Sequence, residues 1–324
     1  MREFVIGKND AGQRLDRFLT KVAPNLPKSL LYKYLRIKRI KVNGKRGEIA
    51  TRLLEGDRVS AYISDEFFTP VQKHYDFLGA ARCLTVVYED ENLLLCDKPQ
   101  GLLSHPDEHE YGDTLITRIQ RYLYEKGEYD PEQEHSFRPA LANRIDRNTG
   151  GIVIAAKNAE ALRILCEKIK TREIDKRYLA VVHGKMEKPE AEIEGYLQKN
   201  EEKNKVFIQS EKTAENRTIR TRYRVIREKN GLSLLEVFLL TGRTHQIRAH
   251  MASLGHPLLG DGKYGKLQQD KKLGFDKQAL YSYRLTFDFR SDAGILNGLA
   301  GKEFRVSSVW FAEKWFGIDC GRLP

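Results

Sequence analysis

Two helical patterns and a hairpin signal organise the first part of the chain. Apolar residues recur three and four positions apart within 13–19 and again within 29–35, which predicts two short amphipathic helices, the second capped by Ser29. The pair Asn43-Gly44 is a strong two-residue turn signal and predicts a β-hairpin after the second helix. These elements together predict a small separate domain.

Strand patterns dominate the rest of the chain. Three helices are predicted among them: one over 113–125 with Asp113 as its cap, one after a cap at Asn158, and one over about 245–254 that ends at Gly255. Because strands outnumber helices and are often consecutive, we expect an α+β fold with a mixed, largely antiparallel central sheet flanked by helices and loops. The strand-length runs lie at 84–88, 92–96, 150–156, 178–182, 221–226 and 234–239.

The length of the chain, 324 residues, exceeds the usual size of one compact domain. Residues 63–80 combine mixed polar side chains with Pro70, and we interpret them as a linker. We therefore predict an N-terminal domain over 1–62 and a larger domain over 81–324.

The composition excludes several classes of protein. A hydrophobic fraction of 40% and an aromatic fraction of 10% are unlike those of a disordered chain. No apolar run approaches the ~20 residues that span a bilayer, and the first residues lack the apolar stretch of a secretory signal. Four scattered cysteines without a CxxC pair argue against a disulfide framework or a zinc ribbon. We expect a soluble cytoplasmic protein with reduced thiols.

Positive charge is concentrated in the N-terminal part. Residues 1–60 hold 15 Lys and Arg against 6 Asp and Glu, a net charge of +9 out of +11 for the whole chain. Such a module suggests a polyanion-binding appendage, although a basic surface that serves only solubility fits the charge equally well. The side chains that we single out for phosphate contact are Arg36, Lys38, Arg39 and Lys41.

Three polar segments border predicted strands and carry the candidate chemistry. Residues 139–151 read PALANRIDRNTGG, 240–250 read LTGRTHQIRAH and 255–265 read GHPLLGDGKYG. In the first segment, Arg144 and Asp146 stand between apolar stretches, where charges are costly unless they are paired. From these residues alone, a structural ion pair and a catalytic group fit equally well.

The three segments together resemble the RluA-type pseudouridine synthases over about residues 84–310. The turn KPQG at 98–101, the strand KRYLA at 176–180 and the TGRTHQIR and GHPLLGDxxYG motifs follow one another in the order of that family. Residues 12–62 resemble an S4 RNA-binding domain, through an RLD, a later VNG and a final GD at matching places. An S4 domain before the catalytic domain is a common arrangement in the family.

The central motif of the family, HRLDxxTSG, is matched by NRIDRNTGG at 143–151. This chain departs from it at three positions, with Asn143 for histidine, Ile145 for leucine and Gly150 for serine. The aspartate, the arginine before it and the threonine are kept, so the resemblance implies activity.

The resemblance implies an enzyme that isomerises specific uridines in structured RNA, ribosomal or transfer RNA, to pseudouridine. It implies that Asp146 is the nucleophile, attacking C1′ of the ribose or C6 of the base, and that Arg248 pairs with it and favours its charged form. It also implies that Tyr178 stacks on the flipped base and that Arg144 fills the gap the uridine leaves. Further RNA contacts are assigned to Arg243, His245 and Gln246.

Metal and nucleotide sites are not indicated by the sequence. His105, Asp107 and His109 are residue types that bind metals, but they fall on a predicted exposed loop. His245 and His250 are five positions apart rather than the four that share a helix face. We therefore expect no metal, no cofactor and no membrane association, and a monomer whose partner is RNA.

Two other functions compete with this interpretation. A non-catalytic RNA-binding or ribosome-assembly protein could keep the same fold, but it needs no buried aspartate beside RNA phosphates. An RNA hydrolase with Asp146 as general base would lack the second carboxylate or the metal set that such chemistry uses. The sequence leaves the target RNA and its uridines open.

Overall fold

A computed structural model of the chain describes residues 1–68, 75–200 and 205–323, whose strands form two sheets. The N-terminal unit consists of β1 (Arg2–Val5), α1 (Leu15–Val22), α2 (Lys28–Arg36), β2 (Ile40–Val42), β3 (Lys45–Arg46) and β4 (Arg58–Ala61). Its four strands are antiparallel, in the order β1-β4-β2-β3. The two helices bury their apolar faces in a core of their own with this sheet.

The predicted helices and hairpin of this unit are confirmed, but one predicted cap is wrong. Asn43 and Gly44 have φ of 50° and 75°, the left-handed conformations that the two-residue turn between β2 and β3 requires. Ser29 does not cap α2, because Pro27 with φ −59° occupies the N-cap position and the helix begins at Lys28. Ser29 therefore lies inside the first turn.

The described residues of the predicted linker, 63–80, pack against both the N-terminal unit and the larger unit. Ile63 and Phe68 are buried in the N-terminal core, and Phe77 is buried in a core of the larger unit. Pro70 lies outside the described residues. The domain boundaries and the likeness of the N-terminal unit to an S4 domain remain predictions.

Side-chain contacts join the N-terminal unit to the rest of the chain. Nδ2 of Asn9 donates to Glu134 at 2.6 Å, and its Oδ1 accepts from the backbone N–H of Ala159 at 3.1 Å. Nε2 of Gln13 donates to the hydroxyl of Ser136 at 2.8 Å. The N-terminal unit therefore docks on the loop around Glu134 and Ser136 and on the first turn of the helix that begins at Ala159.

The remaining strands build an eleven-stranded sheet. They are β5 (Val86–Glu89), β6 (Leu93–Lys98), β7 (Ala140–Leu141), β8 (Gly150–Ala156), β9 (Ile174–His183), β10 (Glu190–Asn200), β11 (Lys205–Gln209), β12 (Arg217–Lys229), β13 (Leu232–Leu239), β14 (Leu280–Phe287) and β15 (Glu303–Arg305). They follow the order β11-β10-β12-β13-β9-β14-β8-β6-β5, with β15 beside β14 and β7 beside β8. Among the described pairs, β14 with β8 is parallel and the others are antiparallel. The predicted α+β fold with a mixed, largely antiparallel sheet is confirmed.

Helices cover both faces of this sheet. They are α3 (Leu115–Glu125), α4 (Ala159–Lys170), α5 (Gln246–Ser253), α6 (Leu267–Asp270) and α7 (Trp310–Phe316). In β8, Ile152 and Ile154 enter the core under α4 and α7, whereas Val153 and Ala155 enter the core under α3 and α5. Burial on both faces explains the continuous apolar run of this strand. None of the described helices has the length and apolar character that a membrane crossing needs.

Two predicted helix starts are tested by side-chain contacts. Asn158 caps α4 as predicted, since its Oδ1 accepts a hydrogen bond of 2.8 Å from a backbone N–H of the first turn. Asp113 does not cap α3, because Thr114 takes that position in a reciprocal capping box with Thr117. The carboxylate of Asp113 instead accepts two hydrogen bonds of 2.7 Å from Arg118.

Candidate active site

A cavity of about 540 Å³ opens where the loop before β8, the start of β9 and the junction of β13 with α5 meet. This volume is typical of ligand pockets. Asp146 supplies the one carboxylate among its described lining residues, against six cationic side chains. The cationic side chains are those of Arg144, Lys170, Arg172, Lys176, Arg243 and Arg248. Such a cationic lining attracts a polyanion, and a polyanion bound in the cavity would lie next to a single carboxylate.

The loop that carries Asp146 is fixed by the turn after β6. Lys98 is fully buried, and its ammonium donates to the carbonyl oxygens of Pro99, Leu102 and Arg147 at 3.1, 2.7 and 3.0 Å. Three carbonyls match the three N–H bonds of an ammonium. Because residue 147 directly follows Asp146, Lys98 ties the backbone of this loop to the turn.

Two further side chains after β6 hold the same loop. The hydroxyl of Ser104 donates to the carbonyl oxygen of Ile145 at 2.9 Å, one residue before the aspartate. Nε2 of Gln100 donates to the carbonyl oxygen of Asn148 at 3.0 Å, two residues after it. The backbone on both sides of the carboxylate is therefore held by hydrogen bonds, which preorganises the site.

Arg248 joins two carboxylates. Its Nη1 donates to Oδ2 of Asp146 at 2.8 Å, while its Nε and Nη2 donate to the two oxygens of Asp261, also at 2.8 Å. Asp261 is fully buried and also accepts the backbone N–H groups of Lys263 and Tyr264. Burial opposes the charge of Arg248, but the two carboxylates outweigh it and raise the pKa of the guanidinium. The bidentate contact with Asp261 fixes the direction in which Nη1 points.

The predicted helix over about 245–254 is confirmed as α5. His245 precedes it with a left-handed backbone, φ 54°, and Gly255 follows it with φ 84°, the conformation expected of a glycine just after a helix. Nε2 of His245 lies 3.8 Å from Oδ2 of Asp146. The start of α5 thus brings Arg248 and the preceding residue His245 to the same carboxylate.

Tyr178 lies on β9 beside the cavity that Asp146 lines. It is 5% exposed and pairs with Val237 on one neighbouring strand and Ser282 on the other. Burial raises the pKa of Tyr178 to about 12, so its hydroxyl is protonated at neutral pH. The ring is thus held by strands on both sides and presents a neutral surface to the cavity.

The predicted RNA-contact residues of the larger unit differ in their accessibility. The side chains of Arg144 and Arg243 line the cavity and are exposed. Gln246 is 2% exposed, and its amide bonds the carbonyl of Arg220 and the hydroxyl of Thr221, both at 3.0 Å. Its Oε1 also accepts the backbone N–H of Arg243 at 3.1 Å, so this side chain holds the loop before α5, and the residue belongs to the lining of the cavity.

The predicted RNA-contact residues of the N-terminal unit do not line the cavity. Arg36, Lys38 and Arg39 are exposed, and Lys41 is half-buried with its ammonium 5.4 Å from the ring centre of Tyr62. The structure thus separates a basic surface from the cavity that holds Asp146.

Several site residues received no role from the sequence. Asp261 and Tyr264 belong to the GHPLLGDGKYG segment, where a carboxylate directly after an apolar run could have signalled a buried, paired group. Lys170 and Arg172 lie at the turn between α4 and β9, and only the sheet topology brings them to the cavity. Three or more His, Cys, Asp or Glu side chains arranged to hold a metal ion are not found within the described residues.

Comparison with known proteins adds the following similarities. A family model described as RNA pseudouridylate synthase matches residues 92–253. An uncharacterized RNA pseudouridine synthase of Mycoplasma genitalium is 30% identical over 317 residues, which cover 95% of this chain and 97% of that protein. Ribosomal large subunit pseudouridine synthase C of Haemophilus influenzae is 28% identical over 95% of this chain and 94% of its own. Ribosomal large subunit pseudouridine synthase D of Nitrosomonas europaea is 28% identical over 87% of this chain and 79% of its own.

Solved structures show the same fold. The human RNA pseudouridylate synthase domain containing 1 protein has a TM-score of 0.53 at 20% identity, over 72% of this chain and 94% of its own. The human domain containing 4 protein has a TM-score of 0.54 at 18% identity, over 68% of this chain and 87% of its own. The mixed sheet that carries the cavity is therefore an architecture found in other proteins.

Proposed function

The chain belongs to the RluA-type RNA pseudouridine synthases, and we propose that it isomerises specific uridines of structured RNA with Asp146 as the nucleophile. The observation that supports this role is the lining of the cavity, in which Asp146 is the one carboxylate among six cationic side chains of the described residues. A carboxylate held by Arg248 at 2.8 Å is oriented before substrate arrives.

The proposed reaction exchanges one glycosidic bond for another. Asp146 attacks C1′ of the ribose or C6 of the base, and the bond between N1 and C1′ breaks. The uracil rotates within the cavity, C5 bonds to C1′, and the aspartate is released. The proton on C5 is lost and N1 gains one, so the product is an isomer of the substrate and no oxidant or energy source is consumed.

The target base must leave the RNA stack, because stacked neighbours block C6 and C1′. We propose that Tyr178 stacks on the extruded uracil, since its ring is fixed in the cavity wall and its hydroxyl is protonated. Arg144 is exposed two residues before Asp146, and we propose that it fills the space that the uridine leaves. Arg243 and His245 complete the proposed RNA contacts at the cavity.

The proposed substrate is ribosomal RNA of the large subunit. Two of the similar proteins are named ribosomal large subunit pseudouridine synthases, and they align over 87% and 95% of this chain. We further propose that the enzyme acts as a monomer in the cytoplasm, with the basic surface around Arg36 and Lys38 of the N-terminal unit as an RNA anchor.

The test is a direct assay of the purified protein. Unmodified ribosomal and transfer RNAs are incubated separately with the wild type and with the Asp146→Asn variant, and pseudouridines are mapped at nucleotide resolution. We expect new pseudouridines in large-subunit ribosomal RNA with the wild type alone. Modification of transfer RNA only would refute the proposed substrate, and modification by the variant would refute the proposed nucleophile.

A further inference from the structure

The hydroxyl of Tyr264 lies between the edge strand β11 and the side chain of His245. The backbone N–H of Val206 donates to this hydroxyl at 2.9 Å, and Nδ1 of His245 lies 3.0 Å from it. The rings of Tyr264 and His245 meet edge to face with their centres 5.7 Å apart. Tyr264 therefore connects the edge of the sheet to the side chain that stands beside Asp146.

The proton between Tyr264 and His245 can lie on either partner, and the surroundings favour one arrangement. Since Val206 already donates to the tyrosine oxygen, the O–H of Tyr264 needs an acceptor, and among the described residues Nδ1 of His245 is placed to be one. The imidazole then carries its proton on Nε2. In the opposite tautomer, the lone pair of Nε2 would face the carboxylate of Asp146 at 3.8 Å and repel it.

The surroundings of His245 lower its pKa, which favours the neutral imidazole with a single N–H. Burial lowers the pKa of His245, and although Asp146 and Asp261 oppose this shift, Arg248 and Lys263 reinforce it. Neutrality makes the choice of tautomer meaningful, because a doubly protonated ring would present an N–H to both sides.

The carboxylate of Asp146 is held asymmetrically. Nη1 of Arg248 donates to Oδ2, and Nε2 of His245 faces the same oxygen. Within the described residues, no hydrogen bond to Oδ1 is present. One oxygen is therefore occupied by the protein, and the other is left for the substrate.

We propose that His245, fixed by Tyr264 as the tautomer with its proton on Nε2, is a positioning residue that turns an N–H toward Oδ2 of Asp146 and leaves Oδ1 as the attacking oxygen. This inference rests on the proposed function and extends it. At 3.8 Å the N–H acts as an oriented dipole rather than as a hydrogen bond in the free enzyme. The left-handed backbone of His245, φ 54°, fits this role, because uncommon conformations persist where the surrounding structure fixes them.

The tautomer can be measured without any activity assay. In protein labelled with ¹⁵N at histidine, two-bond correlations of the ring protons distinguish a proton on Nε2 from a proton on Nδ1. The signal of His245 is assigned by its loss in His245→Gln. We expect the Nε2–H form in the wild type, and a dominant Nδ1–H form would overturn the proposal even if the enzyme makes pseudouridine.

A kinetic arm tests the consequence for catalysis. Tyr264→Phe removes the hydroxyl but keeps the ring, so we expect a mixture of His245 tautomers and a single-turnover rate on saturating RNA that is about tenfold lower, with an RNA Kd within twofold of the wild type. Tyr88→Phe is the matched control, because this half-buried tyrosine bonds Asp90 at 3.0 Å away from the cavity. An unchanged tautomer or an unchanged rate in Tyr264→Phe would contradict the proposal.

Replacement of His245 itself separates positioning from packing. His245→Gln can keep an amide N–H near the place of Nε2, whereas His245→Met fills similar volume without a donor. We expect the glutamine variant to remain within threefold of the wild-type single-turnover rate and the methionine variant to lose about tenfold, with both rates measured at saturating RNA so that a change in RNA Kd does not enter. Equal losses in both variants would show that His245 acts through packing alone. Full activity of Asp146→Asn would instead refute the proposed function and leave the tautomer measurement intact.

Discussion

Gly150 lies directly against Tyr281, so that a β-carbon at position 150 would stand 2.3 Å from the tyrosine ring. The two residues are partners in the parallel pair of β8 with β14. The hydroxyl of Tyr281 donates to Asp97 at 2.7 Å, which holds the ring in place. Gly150 stands where the family motif TSG has serine, and the space that a serine side chain would need is filled by Tyr281 of the neighbouring strand.

We expect Gly150→Ser to destabilise the fold by about 1–3 kcal/mol, the usual effect of overpacking a buried site. Urea denaturation measures the free energy of unfolding. Tyr281→Leu removes the obstructing ring and costs stability by itself, but combined with Gly150→Ser it should lose less than the sum of the two single variants. Additive losses would mean that the ring is not what excludes a side chain at position 150.

The sequence predicted the elements whose signals are local. The continuous apolar run of β8, the positive-φ pair Asn43-Gly44 and the cap at Asn158 each depend on neighbouring residues and were found. β10 was missed because only two of its eleven residues are buried and its alternating glutamates pair with arginines of the neighbouring strand β12. The start of α3 was misplaced by one residue because Asp113 and Thr114 are both good caps and only the contact of Asp113 with Arg118 decides between them.

The candidate site was predictable only where a family motif marked it. Asp146, Tyr178 and Arg248 were assigned by resemblance, and the structure brings them to one cavity. The bidentate contact of Asp261 with Arg248 and the contact of Tyr264 with His245 were not predicted. These contacts join residues of different loops, and their geometry follows from how the loops fold on the sheet rather than from any local pattern.

Asp146→Asn is expected to abolish pseudouridine formation while RNA binding stays within a few-fold. The substitution is nearly isosteric, but the amide is a poor nucleophile. Single-turnover assays with labelled uridine measure the rate, and filter binding measures the Kd. Measurable turnover by a freshly prepared variant would show that another group forms the bond to the substrate.

Arg248→Ala is expected to lower the single-turnover rate by orders of magnitude and to destabilise the protein by about 3–5 kcal/mol, because it leaves the buried carboxylate of Asp261 without its charged partner. Arg248→Lys keeps the charge but cannot contact both carboxylates in the same geometry, so it should recover little of the rate. The control is Arg243→Ala at an exposed cavity position, which should raise the RNA Kd with a smaller effect on the saturating rate. A reversed pattern would make Arg243 the partner of Asp146.

The free energy of unfolding should decrease as the pH is lowered, because His250 becomes protonated. Burial lowers the pKa of His250 to about 4. Its Nδ1 lies 3.0 Å from the hydroxyl of Thr221, which also accepts a hydrogen bond from Gln246 of α5. Since the folded-state pKa lies below that of the unfolded chain, the contribution of the neutral ring is complete above about pH 6.5 and is lost as the pH falls toward 4. The slope from this group reaches about 1.4 kcal/mol per pH unit. His250→Gln should reduce the pH dependence of urea denaturation in this window. A curve for the variant that stays parallel to that of the wild type would exclude this assignment.

The N-terminal basic surface should supply binding rather than chemistry. Substitution of Arg36, Lys38, Arg39 and Lys41 by glutamine removes four charges that lie outside the cavity. Substitution is preferable to deletion of residues 1–62, because Asn9 and Gln13 contact the larger unit and their loss would uncover the start of α4. Removal of each phosphate-binding charge should reduce the slope of log K against log salt by roughly 0.7–0.9, or by about 3 for all four.

The single-turnover rate of this quadruple variant at saturating RNA should stay close to that of the wild type, and only KM should rise. This is expected when the removed contacts bind the ground state and the transition state equally. The control is a variant with four exposed lysines of the larger unit changed to glutamine, at Lys271, Lys272, Lys302 and Lys314. It has the same net charge but keeps the N-terminal surface. Equal salt slopes for the two variants would mean that net charge and not this surface binds the RNA, and a collapsed saturating rate would mean that the N-terminal unit positions the uridine at Asp146.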